Sequence, residues 1–225
     1  MNLKSSRKDS DGVTLIEAIV VLAVIGLLAT LLLPALAKAG SNRWVNCFNN
    51  LKQISAGFIL FANEHEGRFP MQLSTNEGGT KELIGPNILI PHFQAISNQL
   101  GSPKVLTCYR DTNRTRGIYF NQLTPTNISY FLNLDSVIAQ PASILAGDDN
   151  LSVGPGAVGG FHLLTQNSKM KWADDRHSEA GFLGIPKPVG HVSFADGSAR
   201  RLNSKALPEV VQKMTPWTNR LVKPQ

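Results

Sequence analysis

One apolar run near the start of this chain constrains its fold more than any other feature. Residues Ala18 to Ala37 carry no charge. A helix over about 20 residues is about 30 Å long, which matches the hydrocarbon thickness of a bilayer. Glu17 stands directly before the run, and a carboxylate there costs free energy unless a positive charge pairs with it. The run therefore predicts one membrane helix, and Glu17 predicts a cationic partner from another polypeptide.

The residues that surround Glu17 resemble a known processing signal. A short polar, partly basic leader precedes the segment Gly12-Val13-Thr14-Leu15-Ile16-Glu17, and this arrangement closely resembles the type IV prepilin and pseudopilin signal. In that family, a membrane-embedded prepilin peptidase cuts after the glycine and methylates the new N-terminus. The resemblance implies cleavage between Gly12 and Val13, and a Glu17 that pairs with the α-amino group of Val13 on a neighbouring subunit. Pro34 stands where the family has a helix-distorting proline, whereas Val13 replaces the usual phenylalanine.

Two other export routes fit the same segment. A Sec signal peptide has a basic start, an apolar run and a small-x-small cleavage site, which Ala35-Leu36-Ala37 supplies. However, a secretory apolar region is typically about 7 to 15 residues, and this run is longer and begins with an acid. An uncleaved membrane anchor is the third route. All three routes carry most of the chain across the membrane. The length of the apolar run and the presence of Glu17 at its start favour the prepilin route.

The two cysteines agree with an exported chain. Cys47 and Cys108 are the only cysteines, and an even pair in an oxidising compartment indicates a disulfide. The bridge would close a loop of about 60 residues and stabilise the fold by a few kcal/mol. Two buried free thiols are the alternative, because the sequence does not place the two Cα atoms within bridging distance. Neither cysteine has a second one at metal-ligand spacing, so zinc is not expected.

Length and periodicity predict one head domain behind the membrane segment. We expect a leader over 1–12, a transmembrane and filament-core helix over 13–37, and a periplasmic head over 38–225, where about 185 residues suffice for one domain. An apolar stripe at steps of four and three continues the helix into the head, with interruptions at Pro34 and Gly40 and an end at Glu66 to Pro70. The stripe consists of Trp44, Phe48, Leu51, Ser55, Phe58 and Ala62.

Beyond Pro70 the chain changes to short extended segments between turn residues. The Asp196-Gly197 pair separates two extended runs, 191–195 and 198–202, which predicts a tight β-hairpin. Helices are expected over 91–100 and 205–214, and a loop over 154–160. The fold class is thus α+β, with a long N-terminal helix packed on a small antiparallel sheet as in pilins. The other expected strands are 105–108, 118–120, 129–134, 143–146 and 161–164.

A second resemblance extends past the N-terminus. Residues 46–53, residues 63–70, Cys108, Ser129-Tyr130 and Phe194 to Gly197 together resemble the pseudopilin-like proteins that are named for an H-x9-DG motif. The motif would consist of His177, Asp196 and Gly197. However, eighteen residues separate His177 from Asp196, and four separate His191 from Asp196. Either a nine-residue insertion over 182–190 divides the motif, or its histidine has been lost.

Titratable residues in the head do not form a recognisable catalytic pattern. His162, His177 and His191 stand among several aspartates, but no Gly-x-Ser-x-Gly, His-Glu-x-x-His or phosphate-binding glycine loop is present. We therefore expect no enzyme and no cofactor. One ligand hypothesis stays open, because carboxylate oxygens suit calcium and some pseudopilins use calcium to hold a C-terminal loop. Its candidate ligands are Asp148, Asp149, Asp174 and Asp175.

These features together predict a structural subunit of a type II secretion pseudopilus or type IV pilus-like filament. The expected partners are other subunits, prepilin peptidase, an inner-membrane assembly platform and membrane lipid. The expected location is the bacterial inner membrane, crossed once, with a periplasmic or extracellular head. The net charge of +6 is scattered, which does not favour nucleic-acid binding. The alternative is a surface-displayed adhesin or glycan-binding module, in which Trp172 and Trp217 stack on sugars.

Overall fold

The computed structural model describes residues 14–39, 43–85, 88–154, 160–165, 167–173, 176–177, 187–213 and 218–224. The chain divides into two compact units, residues 1–42 and residues 43–225. Several predictions concern residues outside the described ranges, so the structure says nothing about them. These residues are Gly12, Val13, Gly40, Asp174, Asp175, Trp217 and most of the glycine-rich loop.

The first unit contains helix α1, Leu15–Ala39. The helix continues through Pro34 without a break, so the predicted interruption at this residue is wrong. The prediction of a membrane-spanning helix over Ala18 to Ala37 is not confirmed: within the described residues, none of the helices combines the length and the apolar character that crossing a bilayer requires.

The second unit begins with helix α2, Arg43–Glu64. The stripe predicted from the sequence is its buried face: Leu51, Phe58 and Ala62 are fully buried. Ser55 is also fully buried within this face, and its hydroxyl donates a hydrogen bond to the Leu51 carbonyl at 3.1 Å. A polar residue is tolerated in the stripe because its one donor is satisfied.

The described parts of the predicted long helix are α1 and α2, and residues 40–42 between them lie outside the described ranges. The end of α2 lies where the sequence predicts it. Glu66 and Gly67 adopt φ angles of 56° and 76°, a left-handed conformation that commonly ends a helix and that glycine adopts without steric cost.

Strands form a six-stranded antiparallel sheet and a separate two-stranded ribbon. The sheet order is β4-β8-β1-β2-β6-β7, and the ribbon pairs β3 with β5. The predicted hairpin is confirmed, since β6 and β7 pair antiparallel on either side of Asp196-Gly197. The strands are β1 Tyr130–Asn133, β2 Ile144–Asp148, β3 Leu151–Val153, β4 Phe161–Thr165, β5 Met170–Trp172, β6 Val189–Phe194, β7 Ala199–Asn203 and β8 Thr218–Val222.

Both faces of the large sheet are covered. On β1, Tyr130 and Leu132 belong to the apolar cluster that contains the buried face of α2. Phe131, between them, belongs to a second cluster on the opposite face, which includes side chains of β5 and α5. Every residue of β1, β2 and β6 is therefore buried, and these strands lack the alternation of polar and apolar residues that a half-exposed strand shows.

The remaining helices are short. The predicted helix over 91–100 is a pair, α3 Ile90–Ala95 and α4 Ser97–Leu100, and the one over 205–214 is α5 Ala206–Gln212. In the described part of the chain, 3-10 turns fill several connections, and two of them overlap predicted strands. These turns are Pro70–Gln72, Thr75–Glu77, Pro103–Leu106, Phe120–Gln122 and Pro125–Asn127.

The strands predicted over 105–108 and 118–120 are wrong for identifiable reasons. Pro103 occupies the first position of a 3-10 turn, which suits its fixed φ angle, and the Ser102 hydroxyl accepts a hydrogen bond from the Lys104 amide. Ile118 and Tyr119 are 69% and 59% exposed, so this segment has no buried face that would favour pairing.

Candidate functional site

Glu17 lies at the exposed start of α1 and closes a local capping arrangement. Its Oε2 atom accepts hydrogen bonds from the Thr14 amide at 2.8 Å and from the Thr14 hydroxyl at 2.7 Å. The Thr14 hydroxyl in turn accepts one from the Glu17 amide at 3.4 Å. Threonine followed three residues later by glutamate is a capping box, which defines where the helix begins. A carboxylate accepts about four hydrogen bonds, so Glu17 has capacity for a further donor.

The apolar side chains of α1 are exposed along the described part of the helix. Leu15 is 80% exposed and Leu22 is 68% exposed, and the aliphatic residues between and beyond them are similarly open. A continuous apolar surface of this kind marks a site of interaction with protein or lipid.

The predicted disulfide is present. Cys47 on α2 and Cys108 are bonded, with their Cα atoms 4.8 Å apart, which excludes the alternative of two free thiols. The bridge ties α2 to the chain that precedes the sheet. Tyr130 on β1 donates its hydroxyl hydrogen bond to the Cys47 carbonyl at 3.1 Å, and burial, with the nearby Asp148 charge, raises the pKa of Tyr130 well above its usual value.

Beside the disulfide, three fully buried titratable residues form one cluster: Asp148, His177 and His191. Asp148 ends β2 and His191 lies in β6, the neighbouring strand. The Asp148 Oδ2 atom is 2.8 Å from His191 Nδ1 and 3.3 Å from His177 Nε2, and it accepts the His191 amide at 2.7 Å. Burial raises the pKa of Asp148, but hydrogen bonds from the two histidines lower it by more. The pKa of this carboxyl therefore lies far below its usual value.

The residues adjacent to this cluster form a separate network of charges. Asp149 contacts Arg114 at 2.8 Å and Arg176 at 2.5 Å. Arg176 and Arg114 also lie 3.1 and 3.8 Å from Asp111. Two arginines thus face two aspartates with little exposure. The adjacent pair Asp148-Asp149 consequently has two different sets of partners.

The calcium hypothesis is not supported by the two carboxylates that the structure describes. Asp149 already pairs with two guanidinium groups, which disfavour a cation beside them. Asp148 has two imidazole nitrogens next to it, whereas calcium prefers an all-oxygen environment. Asp174 and Asp175 lie outside the described residues.

The comparison that bears on function concerns the start of the chain. Residues 7–33 match the model of the prokaryotic N-terminal methylation motif. The chain therefore carries a prepilin-type, type IV pilin-like signal, and this signal indicates a membrane-anchored protein that prepilin peptidase processes and that assembles with other pilin-like subunits. The α+β architecture, with an N-terminal helix and an antiparallel sheet, is consistent with a pilin-like fold. No curated protein and no solved structure matches the chain.

The methylation motif contains the processing and assembly residues that the sequence predicts, Gly12, Val13 and Glu17. Glu17 is described and exposed. The proposed scissile bond lies outside the described residues, so the pairing of Glu17 with the α-amino group of Val13 stays a prediction.

The two halves of the H-x9-DG motif do not meet within the described structure. Asp196 is exposed in the β6–β7 turn, where its Oδ1 atom accepts the Ser198 amide at 2.8 Å and Gly197 adopts a φ angle of 80°. His177 is instead buried against Asp148 and His191. Asp196 and Gly197 therefore act as turn residues, and the described contacts of His177 belong to the buried cluster.

The sugar-stacking role considered for Trp172 is wrong. Trp172 is 2% exposed and lies in the second apolar cluster, so its ring faces the core and not the solvent. Trp217 lies outside the described residues.

Proposed function

We propose that this chain is a structural, non-enzymatic subunit of a type II secretion pseudopilus or a type IV pilus-like filament. The observation that carries the proposal is the methylation motif over residues 7–33, in which Glu17 is the fifth residue after the Gly12-Val13 bond. Prepilin peptidase would remove the leader and leave Val13 as the methylated N-terminus. The mature subunit would be assembled from the bacterial inner membrane by an assembly platform, with its head in the periplasm or outside the cell.

Glu17 would give each subunit its register in the filament. The α-amino group of Val13 on a neighbouring subunit is a positive charge at the level of the helix start. Two unit charges about 4 Å apart attract by about 4 kcal/mol at an effective dielectric constant of 20. The exposure of Glu17 and the hydrogen-bonding capacity left after its bonds to Thr14 support this role.

The exposed aliphatic surface of α1 would supply the packing contacts. Burial of this apolar surface against other helices or lipid is favourable by about 25 cal/mol for each Å² removed from water. A subunit with this surface is not expected to remain alone in water, which supports assembly with other subunits and with membrane lipid. The scattered charge of the chain supports no nucleic-acid partner.

We assign the head to the pseudopilin-like proteins with an H-x9-DG motif. Three of the segments that carry this resemblance converge in the structure, because Cys47 bonds Cys108 and the Cys47 carbonyl accepts the hydroxyl of Tyr130. Segments far apart in sequence thus form one local arrangement, which supports a shared head structure and not a chance order of weak matches.

Replacement of Glu17 by glutamine tests the proposal. Glu17→Gln removes the charge but keeps a side chain that can close the capping box with Thr14. We expect normal cleavage and head folding, and at least tenfold less protein in sedimenting or cross-linked filaments, when the chain is expressed with prepilin peptidase and an assembly platform. Glu66→Gln is the matched control, because it removes an exposed carboxylate of the head.

Unchanged assembly of Glu17→Gln would contradict the role of this residue. A wild-type chain that is cleaved and methylated but forms no filament would favour the alternative, a membrane-tethered surface binding protein.

A further inference from the structure

We infer that Asp148, His177 and His191 form a closed binding site for one divalent transition-metal ion of the zinc class. One ligand atom from each residue, a carboxylate oxygen and two imidazole nitrogens, lies within 4.8 Å of the others. All three side chains are fully buried. This site is independent of the filament proposal, since it lies wholly within the head.

The charge around Asp148 favours a cation. In the described part of the chain, the groups that contact its carboxylate are the imidazoles of His177 and His191, and neither is a permanent cation such as an arginine or lysine side chain. Arg114 and Arg176 do not supply such a cation, because they face the carboxylates of Asp111 and Asp149. Buried charges in proteins are paired or coordinate metals. A divalent ion would neutralise Asp148 where no described arginine or lysine does.

The two carboxylate oxygens of Asp148 differ in their polar contacts. Three nitrogen atoms contact Oδ2: the amide and Nδ1 of His191 and Nε2 of His177. The Oδ1 atom is buried and has no hydrogen-bond partner within the described residues, and neither does Nδ1 of His177. Unsatisfied buried polar atoms are rare in native structures and call for an explanation such as a missing ion. A carboxylate that binds a metal through both oxygens would use Oδ1 as well.

The spacing and the ligand types indicate which metal fits. A tetrahedral zinc site with bonds of about 2.0 Å places neighbouring donor atoms about 3.3 Å apart. The distances from Asp148 Oδ2 to the two histidine nitrogens are 2.8 and 3.3 Å, so a small adjustment would admit an ion. Two imidazoles and a carboxylate suit zinc and its first-row neighbours and do not suit calcium or magnesium.

The site would be structural, because all three ligand side chains are fully buried. Its ligands come from β2, β6 and the short described segment Arg176-His177, so a bound ion would hold that segment against the sheet. A metal that binds only the folded head stabilises it in proportion to the logarithm of the metal concentration.

A rival arrangement uses sulfur. Cys47, Cys108 and His177 also place their ligand atoms within 4.8 Å of one another, and His177 Nε2 lies 3.6 Å from the Cys108 sulfur. In the disulfide these sulfurs are not thiolates, which are the form that binds zinc. Metal binding by the oxidised protein would therefore come from the aspartate and the histidines.

Titration with Zn²⁺ tests the inference. The full chain is purified in detergent without reductant, confirmed to lack free thiols, stripped with a chelator, and titrated by calorimetry, with Co²⁺ absorption as the spectroscopic readout. We expect one equivalent bound, and binding at least 100-fold weaker in Asp148→Asn and His191→Gln. His162→Gln, which alters a buried histidine outside the cluster, should bind as the wild type does.

If the variants unfold, nuclear magnetic resonance of the histidine rings in the wild type tests the inference without them. In the wild type, Zn²⁺ should shift the ring signals of two of the five histidines, those of His177 and His191. Absence of binding, signals that shift at His65 or His162 instead, equal affinity in the variants, or binding only after reduction of the disulfide would each overturn the inference.

Discussion

The disulfide offers the most quantitative prediction for the head. Cys47 and Cys108 are separated by 61 positions. In the chain-entropy description, a cross-link that closes a loop of this length lowers the entropy of the unfolded chain enough to stabilise the fold by about 4 kcal/mol at 25 °C. We expect reduction of the wild type to lower the free energy of unfolding by about this amount. Reduction replaces no side chain, so it changes the packing less than a substitution of either cysteine would.

Urea unfolding of the oxidised and reduced chain, followed by tryptophan fluorescence, to which the buried Trp172 contributes, measures the difference. The reduced chain should also show a larger dependence of the free energy on urea, because its unfolded state is less constrained and exposes more surface. Cys47→Ala/Cys108→Ala is the control that cannot re-oxidise, and it should match the reduced wild type to within the cost of two small buried side chains. A difference below about 1 kcal/mol between the oxidised and reduced wild type would refute the reasoning, because it lies far under the entropy that the loop length implies.

Three further predictions concern the core of the head. Burial lowers the pKa of His92 to about 4, so between about pH 6.5 and pH 4 only the unfolded chain protonates this imidazole. The free energy of unfolding should therefore drop by about 3 kcal/mol as the pH falls over that window. Urea midpoints should show this fall, and His92→Gln should remove it. Gly190→Ala should destabilise by about 1 to 3 kcal/mol, since the added Cβ would lie 2.4 Å from the Trp172 ring; a thermal melt equal to wild type would contradict this. Phe58→Ala, which empties the centre of the α2 face, should cost about 3 to 5 kcal/mol in the same urea assay.

Local signals account for the parts of the fold that the sequence predicts correctly. The stripe on α2 repeats over several turns, and the Asp196-Gly197 pair favours one turn type whatever surrounds it. Strands β3, β5 and β8 escaped prediction for two reasons: β3 and β5 have three residues each and pair with one another, and β8 takes its place from distant partners. β8, for example, pairs with β1 and β4 across long stretches of chain. No pattern within five residues encodes that pairing.

The buried cluster shows the same limit for the site. No local spacing in the sequence predicts the cluster, because Asp148, His177 and His191 come from three separate segments. One signal was available: Asp148 and His191 are titratable residues within largely apolar strands, and a buried charge in such a strand needs a partner. The disulfide was predictable without geometry, because an even number of cysteines in an exported chain indicates a bridge.

The N-terminal residue and the mass of the mature protein recovered from membranes test the central claim most directly. The account predicts a chain that begins at methylated Val13, the product of prepilin peptidase. A chain that begins at Lys38 would mean that a signal peptidase cuts after Ala37, and one that keeps Met1 would mean an uncleaved anchor. Either of these results would contradict assembly through Glu17 and the filament function built on it.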